Sequence, residues 1–395
     1  MMADDGLVDD VGVRLARLAT TLTAQGALRS NTWREALLAV PRHVFLPRFY
    51  RKKPGTFDYE PVIREPIGDR AWLDLVYSDE TWVTQVDGKD DLWSDHPRAL
   101  SGRGTCSSTM PSLVVGMLES LDLSDDHTVL EVGTGTGYST ALLCRRLGPD
   151  RVVSVEVDRT LSQRAEVALA QLGFAPTLVV GDGALGFPDR APYDRIIGSC
   201  SFTHVPYRWV EQTRSGGLIE VILTGSITGG PRVILEVKDD KMAAGMLDAQ
   251  MLGFMVSRPQ IQPPPPPGII PKRDPSHERI SDIDPSIFDD DRFQFLLQSR
   301  IPGLTYSGLF HPPDHDALFR THDPERWAYV YIDDDDRLRV QESDSGAPSW
   351  TIIEDTARTW DRLGRPGLNA FRLTVASHQQ TLTIPGEDTR WQVFF

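Results

Sequence analysis

Short apolar runs alternate with amphipathic stretches through the middle of the chain, between residues 128 and 237. The runs predict strands, and the stretches between them predict helices. The predicted strands cover 128–132, 151–157, 177–180, 195–197, 218–223 and 233–237, and the predicted helices cover 138–147 and 160–172. Continuous apolar strands separated by helices indicate a mostly parallel sheet with helices on both faces. The pattern therefore predicts a Rossmann-like α/β fold.

The chain on either side of this region has a different pattern. Residues 11–50 predict helices, one of which begins with the N-cap signal Ser30-Asn31-Thr32. Apolar residues at helical spacing predict a further helix over 110–121. The C-terminal part, 276–395, predicts a small α+β domain. Its strand candidates are 328–332, 370–375 and 380–384.

Five consecutive prolines, Pro263 to Pro267, stand before this C-terminal part. Proline lacks a backbone donor and favours an extended conformation, so residues 257–275 are interpreted as a linker. A rigid strap packed on the surface is the alternative. The predicted division is an N-terminal helical and accessory segment (1–110), a Rossmann-like core (111–256), the linker (257–275) and a C-terminal domain (276–395).

Length and composition narrow the class of protein. The 395 residues suggest two domains, and the net charge of −15 gives a surface that repels nucleic acid. No apolar run reaches the about 18 residues of a membrane span, and the acidic N-terminus does not resemble a signal peptide, so we expect a cytoplasmic protein without a membrane partner. The three cysteines, Cys106, Cys144 and Cys200, are widely spaced, which argues against disulfides and against a zinc site.

A glycine-rich motif, Glu131-Val132-Gly133-Thr134-Gly135-Thr136-Gly137, follows the first predicted strand. Glycines allow backbone conformations closed to other residues and let a ligand approach the main chain. A dinucleotide site has the spacing G-x-G-x-x-G. Here the spacing is G-x-G-x-G, which resembles that of S-adenosylmethionine (SAM) methyltransferases. A purely structural turn is the alternative.

Acidic residues follow at the ends of the next two strands. Glu156 lies about 20 residues after the turn, where a carboxylate can bind ribose hydroxyls. Asp182 precedes Gly183 and is placed to accept a hydrogen bond from an adenine amino group. Either acid alone would be interpreted as a solvated strand end or a helix cap. Together with the turn, they predict a binding site at the carboxyl edge of the sheet.

Further segments resemble the protein-L-isoaspartate O-methyltransferase family over roughly residues 30–225. They are 40–45 (VPRHVF), 107–112 (SSTMPS), 131–138, 180–183 (VGDG), 191–197 (APYDRII) and 215–218 (SGGL). The resemblance implies methyl transfer from SAM to a peptide side-chain carboxylate, with S-adenosylhomocysteine as by-product and cyclisation of the ester to a succinimide. The implied SAM contacts are Glu131, Gly133, Thr134, Gly135 and Gly137, with Glu156 at the ribose and Asp182 and Gly183 at the adenine.

The acceptor side of this resemblance rests on hydroxyl groups. The family carries a hydroxyl residue just before the proline that opens the helix at 110, and Thr109 stands there, where serine is usual. The resemblance therefore implies that Thr109, with Ser107 or Ser108 beside it, orients the acceptor carboxylate. Capping of the helix 110–121 is the alternative role. His204 is a candidate peptide contact, and a purely structural histidine is its alternative.

Two departures from the shorter repair enzymes bear on the substrate. Nothing like residues 240–395 is expected in those enzymes, and the segment Tyr77 to Gly88 departs from their pattern. The chain resembles an extended actinobacterial branch found in gene clusters for ribosomally synthesised peptides, such as lanthipeptides and graspetides. That branch implies methylation of one aspartate in a precursor peptide, with an aspartimide as the product. The C-terminal domain would then recognise the substrate. Its candidate residues are Trp327, Trp350, Trp360 and Trp391, with core aromatics as the alternative.

Other functions are also open at this stage. One is general repair of isoaspartate, and another is a scaffold that has kept the fold and lost the activity. The intact glycine turn and acidic residues speak against the scaffold. Methylation of nucleic acid is disfavoured, because Gly198-Ser199-Cys200-Ser201 stands where such enzymes carry an N-P-P-Y type motif.

Overall fold

The computed structural model describes residues 5–261, 278–307, 316–321, 323, 325–343 and 349–393. The chain divides into two compact units. Unit 1 comprises Met1–Ser199 and Arg208–Glu220, and unit 2 comprises Cys200–Tyr207 and Val221–Phe395. The second unit thus takes up the chain from Val221, earlier than the predicted boundary at 257–275. Of that predicted linker, residues 262–275 lie outside the described residues, and Arg258–Gln260 forms a short 3₁₀ turn.

Unit 1 begins with helices and an antiparallel sheet. The elements are α1 (Asp5–Ala24), α2 (Asn31–Ala39), β1 (Arg48–Lys52), β2 (Asp58–Ile63), α3 (Arg64–Ile67), α4 (Asp69–Val76), β3 (Trp82–Val86), β4 (Leu100–Ser101) and β5 (Gly104–Ser108). The Ser30 hydroxyl caps α2 by accepting the N–H of Trp33, as its sequence predicts. The strands form one sheet in the order β4-β2-β1-β3-β5. The prediction of a helical N-terminal segment therefore missed a sheet, because these strands are short and most lack regular polar–apolar alternation.

The Rossmann-like part of unit 1 follows. Its elements are α5 (Pro111–Ser120), β6 (Val129–Val132), α6 (Tyr138–Leu147), β7 (Val152–Glu156), α7 (Arg159–Gln171), β8 (Thr177–Val180), β9 (Tyr193–Phe202), α8 (Tyr207–Gln212) and β10 (Thr213–Leu223). Strand β6 pairs in parallel with β7 and β9, and β7 pairs in parallel with β8. The strand order is β8-β7-β6-β9-β10. The predicted parallel sheet is confirmed, and its carboxyl edge brings the ends of β6, β7 and β8 side by side.

Unit 2 consists mainly of antiparallel strands. Its further elements are β11 (Gly230–Val237), β12 (Ala243–Leu252), β13 (Glu278–Ser281), α9 (Asp291–Arg300), β14 (Thr305–Ser307), β15 (Asp316–Arg320), β16 (Trp327–Ile332), β17 (Leu338–Glu342), α10 (Ser349–Arg362), β18 (Arg372–Ala376), β19 (Gln379–Thr383) and β20 (Arg390–Val393). Strands β13-β17-β16-β15-β14 form one sheet in that order, and β11-β12-β18-β19-β20 are hydrogen-bonded neighbours in the order given. This is the α+β composition expected for the C-terminal part.

The tryptophans of unit 2 belong mostly to its core. Trp350, Trp360 and Trp391 are buried, and Trp327 is half-buried. Trp350 packs on Phe288 and Phe319. The expectation of exposed tryptophans for substrate recognition is therefore wrong for the three buried residues, and the core interpretation holds. In the part of the chain that the structure describes, no helix is both long and apolar enough to cross a membrane.

Candidate active site

The glycine-rich turn leaves β6 through three residues in the left-handed region. The φ angles of Gly133, Gly135 and Gly137 are +97°, +54° and +88°. A Cβ atom on Gly137 would lie 3.1 Å from the Cβ of Ala165, which is closer than ordinary van der Waals contact. The turn thus presents main chain without side chains at the carboxyl edge of the sheet, as a bound ligand requires.

Below the turn, the Glu131 carboxylate is fully buried among hydroxyl groups. It accepts hydrogen bonds from Ser139, Thr140, Ser154 and Ser199. Burial raises the pKa of Glu131, and the four hydroxyl donors oppose that rise. The Thr134 hydroxyl is also buried and lies 2.6 Å from that of Ser154. These contacts tie β6, α6, β7 and β9 together, and a direct role of Glu131 or Thr134 in SAM binding stays a prediction.

Glu156 joins the end of β7 to the glycine turn. Its Oε2 accepts the N–H of Gly135 at 2.9 Å, and its Oε1 accepts the N–H of Asp158 at 3.0 Å. Asp158 in turn caps α7 by accepting the N–H of Thr160. The carboxylate therefore lies at the turn, where the sequence analysis places a ribose ligand.

Asp182 and Gly183 stand at the end of β8. Asp182 Oδ1 accepts the N–H of Ala184 at 2.9 Å, and Oδ2 makes no hydrogen bond to the described residues. The cap that was the alternative role of Asp182 is therefore present, and it occupies one oxygen only. A Cβ on Gly183 would lie 2.1 Å from Val132 Cγ1, so only glycine fits.

The surroundings of Asp182 suit a flat, mostly apolar ring. A cavity of about 600 Å³ reaches Asp182, within the size range of small-molecule sites. Its apolar lining residues are Val155, Val179, Leu185 and Pro188. Two apolar side chains at the carboxyl edge of the sheet are exposed to solvent, Val157 at 40% and Leu185 at 61%. Together with the open glycine turn, these groups fit an adenosyl ligand.

Strand β5 brings the hydroxyl segment against the glycine turn. A Cβ on Gly135 would lie 3.7 Å from Cys106 Sγ and 3.8 Å from the carbonyl oxygen of Ser107. The predicted cofactor turn and the predicted acceptor segment are therefore neighbours, although about 30 residues separate them in the chain.

The three hydroxyl residues have different surroundings. Ser108 is buried, and Nη2 of Arg42 donates to its hydroxyl at 3.3 Å. Ser107 and Thr109 are half-buried, and their hydroxyls make no hydrogen bond to the described residues. Ser108 therefore has a structural partner, whereas a substrate-binding role of Ser107 and Thr109 stays a prediction.

Arg42 is a fully buried residue that holds the acceptor segment in place. Burial lowers the pKa of its guanidinium to about 10, which leaves it charged at neutral pH. Its donors reach five carbonyl oxygens, those of Val76, Ser78, Glu80, Ser108 and Thr109. One side chain therefore fixes two segments of chain relative to each other.

The N-terminus of α5 is capped from the same region. Ser112 N–H donates to Asp79 Oδ1 at 2.8 Å, and Met110 N–H donates to Thr81 Oγ1 at 3.0 Å. The interpretation of residues 107–109 as helix caps is therefore wrong, because Asp79 and Thr81 supply the caps.

The roles of Arg42, Asp79 and Thr81 are not apparent from the sequence pattern. The signal available was the segment Tyr77 to Gly88, which departs from the family's pattern. His204, the predicted peptide contact, belongs to unit 2, and its Nδ1 lies 3.1 Å from the Thr203 hydroxyl. Burial lowers the pKa of His204, and its role stays a prediction.

Comparisons with known proteins agree with this geometry. The family model described as protein-L-isoaspartate(D-aspartate) O-methyltransferase matches residues 79–238. The protein-L-isoaspartate O-methyltransferase of Methanopyrus kandleri is 35% identical over 214 residues, which are 53% of this chain and 77% of that protein. The chain belongs to the protein-L-isoaspartate O-methyltransferase family. The corresponding protein of Xanthobacter autotrophicus is 44% identical over 117 residues, which are 29% of this chain. The match spans only 52% of the length of that protein.

A solved structure named protein-L-isoaspartate O-methyltransferase shares the fold. Its TM-score is 0.54 at 21% identity, and the likeness covers 94% of this chain and 99% of that one. The fold is that of the class I SAM-dependent methyltransferases. Because the likeness extends over nearly the whole chain, most of residues 240–395 have a counterpart in that structure.

Proposed function

We propose that this protein transfers the methyl group of SAM to the free carboxylate of an L-isoaspartyl residue in a peptide or protein. The observation that carries the proposal is the proximity of the glycine turn at Gly135 to the hydroxyl segment at Ser107, since a Cβ built on Gly135 would lie 3.8 Å from the Ser107 carbonyl oxygen. A methyl donor on the turn and a carboxylate on the segment would be neighbours. Family membership supplies the reaction type, and the geometry supports it.

The residues of unit 1 have separable roles in this proposal. Gly133, Gly135 and Gly137 accommodate the cofactor, Glu156 holds the ribose, and Asp182 with Gly183 contacts the adenine. The bound cofactor supplies an electrophilic methyl group on a sulfonium. Thr109, assisted by Ser107, orients the acceptor carboxylate through its hydroxyl.

The reaction depends on positioning of the carboxylate and the methyl donor more than on acid–base groups. A carboxylate is already a nucleophile at neutral pH, so one of its oxygens forms the new bond to the methyl carbon as the carbon–sulfur bond breaks. Holding the two partners in line supplies most of the rate. The methyl ester then cyclises to a succinimide when the next backbone nitrogen attacks, with methanol as the leaving group.

A narrower version of the proposal is tailoring of one aspartate in a ribosomally synthesised precursor peptide. The C-terminal part gives this narrower version little support, because a solved structure named protein-L-isoaspartate O-methyltransferase matches nearly the whole chain, most of the C-terminal part included. The segment Tyr77 to Gly88 remains as its support. The isoaspartyl substrate is therefore the better-supported reading.

The test is mass spectrometry of peptides incubated with the protein and SAM. The panel holds an isoaspartyl peptide, its matched aspartyl peptide and a crosslinked precursor peptide. We expect a methyl ester, followed by loss of methanol, on the isoaspartyl peptide. Modification of the crosslinked peptide alone would establish the tailoring role, and absence of SAM binding in titration calorimetry would support a scaffold.

Two substitutions separate the halves of the site. Thr109→Ala should leave SAM affinity intact and slow turnover by about 100-fold, a usual cost of a misplaced reactant. Thr109→Ser is the matched control and should restore turnover, because it keeps the hydroxyl. Asp182→Ala should weaken SAM binding about tenfold, as loss of one hydrogen bond predicts. Unchanged turnover in Thr109→Ala would remove Thr109 from the acceptor site.

A further inference from the structure

Gln85 is a fully buried polar residue in β3, and its amide group bonds to side chains of two distant segments. Its Nε2 donates to Asp158 Oδ2 at 3.0 Å, and its Oε1 accepts the hydroxyl of Thr105 at 3.0 Å. An ionised carboxylate can only accept a hydrogen bond, so the nitrogen of the amide must face Asp158. The chemistry of the two partners therefore fixes the orientation of the Gln85 amide.

The pairing of β3 with β5 is irregular on both sides of Gln85. Gln85 stands opposite Cys106, and the register shifts between this pair and each of its two neighbouring pairs. Irregularities of this kind re-aim a side chain, and they are frequent beside active sites. Here the Gln85 side chain reaches Asp158, which lies 73 residues further along the chain.

Asp158 connects Gln85 to the glycine turn. The N–H of Asp158 donates to Glu156 Oε1 at 3.0 Å, and Glu156 Oε2 accepts the N–H of Gly135 at 2.9 Å. The two side-chain oxygens of Asp158 have separate partners, because Oδ1 caps α7 through the N–H of Thr160 and Oδ2 accepts Gln85. A continuous series of bonds thus runs from the glycine turn, through the predicted ribose ligand, to Gln85.

Thr105 connects Gln85 to the acceptor segment. It lies in β5, two residues before Ser107, and its hydroxyl also accepts the N–H of Gly88 at 2.9 Å. The carbonyl oxygen of Ser107 lies 3.8 Å from the position that a Cβ on Gly135 would take. The series of bonds and the strand together therefore form a closed ring, which begins and ends at the glycine turn.

We propose that Gln85 is a positioning residue for methyl transfer, which holds the acceptor segment of β5 in a fixed place relative to the glycine turn and Glu156. The inference rests on the proposed function, because it takes Glu156 as the ribose ligand and residues 107–109 as the acceptor side. Gln85 needs no contact with SAM or with the peptide. The rate of an in-line displacement depends steeply on the placement of its two partners, so a displaced β5 lowers turnover.

The first test removes the bond between Gln85 and Asp158. Gln85→Glu keeps the length of the side chain and an acceptor for Thr105, but it sets a second carboxylate against that of Asp158. We expect kcat on an isoaspartyl peptide to fall about tenfold. The Kd for SAM should stay unchanged, because Glu156 keeps both of its backbone donors. Gln85→Met removes the bonds without adding a charge and should lower kcat to a similar extent, so full turnover in Gln85→Met would overturn the proposal.

The second test reverses the direction of the same bond. Adding Asp158→Asn to Gln85→Glu leaves the net charge of the wild type, and the new amide nitrogen can donate to the new carboxylate. The amide oxygen can still cap α7, because asparagine is a favoured N-cap. The double variant should therefore regain most of the wild-type kcat. Asp158→Asn alone completes the cycle, and losses that simply multiply would overturn the proposal.

Thr84 offers a matched control in the same strand. It is buried beside Gln85, and its hydroxyl makes no hydrogen bond to the described residues. Thr84→Val removes this hydroxyl at nearly the same shape, so kcat and SAM affinity should keep their wild-type values. A loss equal to that of Gln85→Glu would mean that any change in β3 slows the reaction, and the specific role of Gln85 would be refuted.

Hydrogen exchange tests the hold on β5 without any activity. The amides of residues 104–108, and the Gly88 amide that bonds to Thr105, should exchange faster in Gln85→Glu and regain protection in the double variant. Equal protection in the wild type and in Gln85→Glu would overturn the proposal. If the wild-type protein methylates no isoaspartyl peptide, the proposed function fails, and this measurement still decides whether Gln85 holds β5 in place.

Discussion

The cofactor half of the site comes from one stretch of chain, residues 131–183, whereas the acceptor half is assembled from Arg42, residues 79–81 and residues 107–112. In the cofactor half, each functional group follows directly from a strand of the parallel sheet. In the acceptor half, the hydroxyl segment is held by groups 29 to 67 residues away.

The two halves also use buried charge differently. Glu131 is a buried carboxylate surrounded by hydroxyls, and it ties strands and a helix of the cofactor half together. Arg42 is a buried guanidinium surrounded by carbonyl oxygens, and it ties loops of the acceptor half together. The parallel sheet already holds the cofactor half in place. Loss of Arg42 should therefore destabilise the acceptor half more than loss of Glu131 destabilises the cofactor half.

The largest expected effect is therefore that of Arg42→Met. This change removes the donors from five carbonyl oxygens at once. We expect the free energy of unfolding to fall by about 3 kcal/mol or more, as for other broken buried networks. Chemical denaturation followed by circular dichroism measures it. The matched control is Arg51→Met at an exposed position, and equal stability of both variants would refute the role of Arg42.

The cofactor half should respond most to a change of shape. In Gly183→Ala the new Cβ would lie 2.1 Å from Val132 Cγ1, in the strand that leads into the glycine turn. We expect a loss of about 2 kcal/mol in stability together with weaker SAM binding, since overpacking displaces β6. Denaturation and SAM titration check both effects.

The nearby Gly181 offers a matched control for that substitution. Apart from its two chain neighbours, no atom of the described residues lies within 4 Å of the Cβ that Gly181→Ala would add. Its stability should stay within about 0.5 kcal/mol of the wild type. A comparable loss in both variants would mean that the strand end tolerates no side chain at all, and the specific clash with Val132 would not be the cause.

The same contrast explains what the sequence could predict. Helix α6 and strand β8 begin and end at the residues that the pattern indicates, because apolar strands and a glycine turn are local signals. Gly133 to Gly137, Glu156 and Asp182 could be proposed as cofactor contacts for the same reason. Each stands at a strand end, and strand ends of a parallel sheet meet at one edge.

The acceptor half was harder to predict, because its order depends on contacts between distant segments. The resemblance identified residues 107–109 and included Arg42, but it gave no role to Arg42. Nothing in the spacing of Asp79 and Ser112 indicates a cap across 33 residues. The short antiparallel strands β1 to β5, which carry the segment, were also missed. Pairing between strands of this kind is set by tertiary contacts more than by local preference.

The smallest expected effect in this comparison is the pH dependence that Glu131 contributes. Burial raises its pKa in the folded protein above the ordinary value of 4.5. The folded state therefore binds this proton more tightly than the unfolded chain does. The stabilising contribution is complete below the unfolded pKa, and it is lost as the pH rises through the folded pKa.

Glu131→Gln removes this titration while keeping the size of the side chain and an acceptor for the hydroxyls. As the pH rises above the ordinary pKa of 4.5 and through the raised pKa of the folded protein, the free energy of unfolding of the variant should therefore rise relative to that of the wild type. Histidines and other groups titrate equally in both proteins, so the difference isolates Glu131. Parallel stability curves would show that the four hydroxyl donors offset the burial of the charge completely, and the cofactor half would then be insensitive to its buried carboxylate.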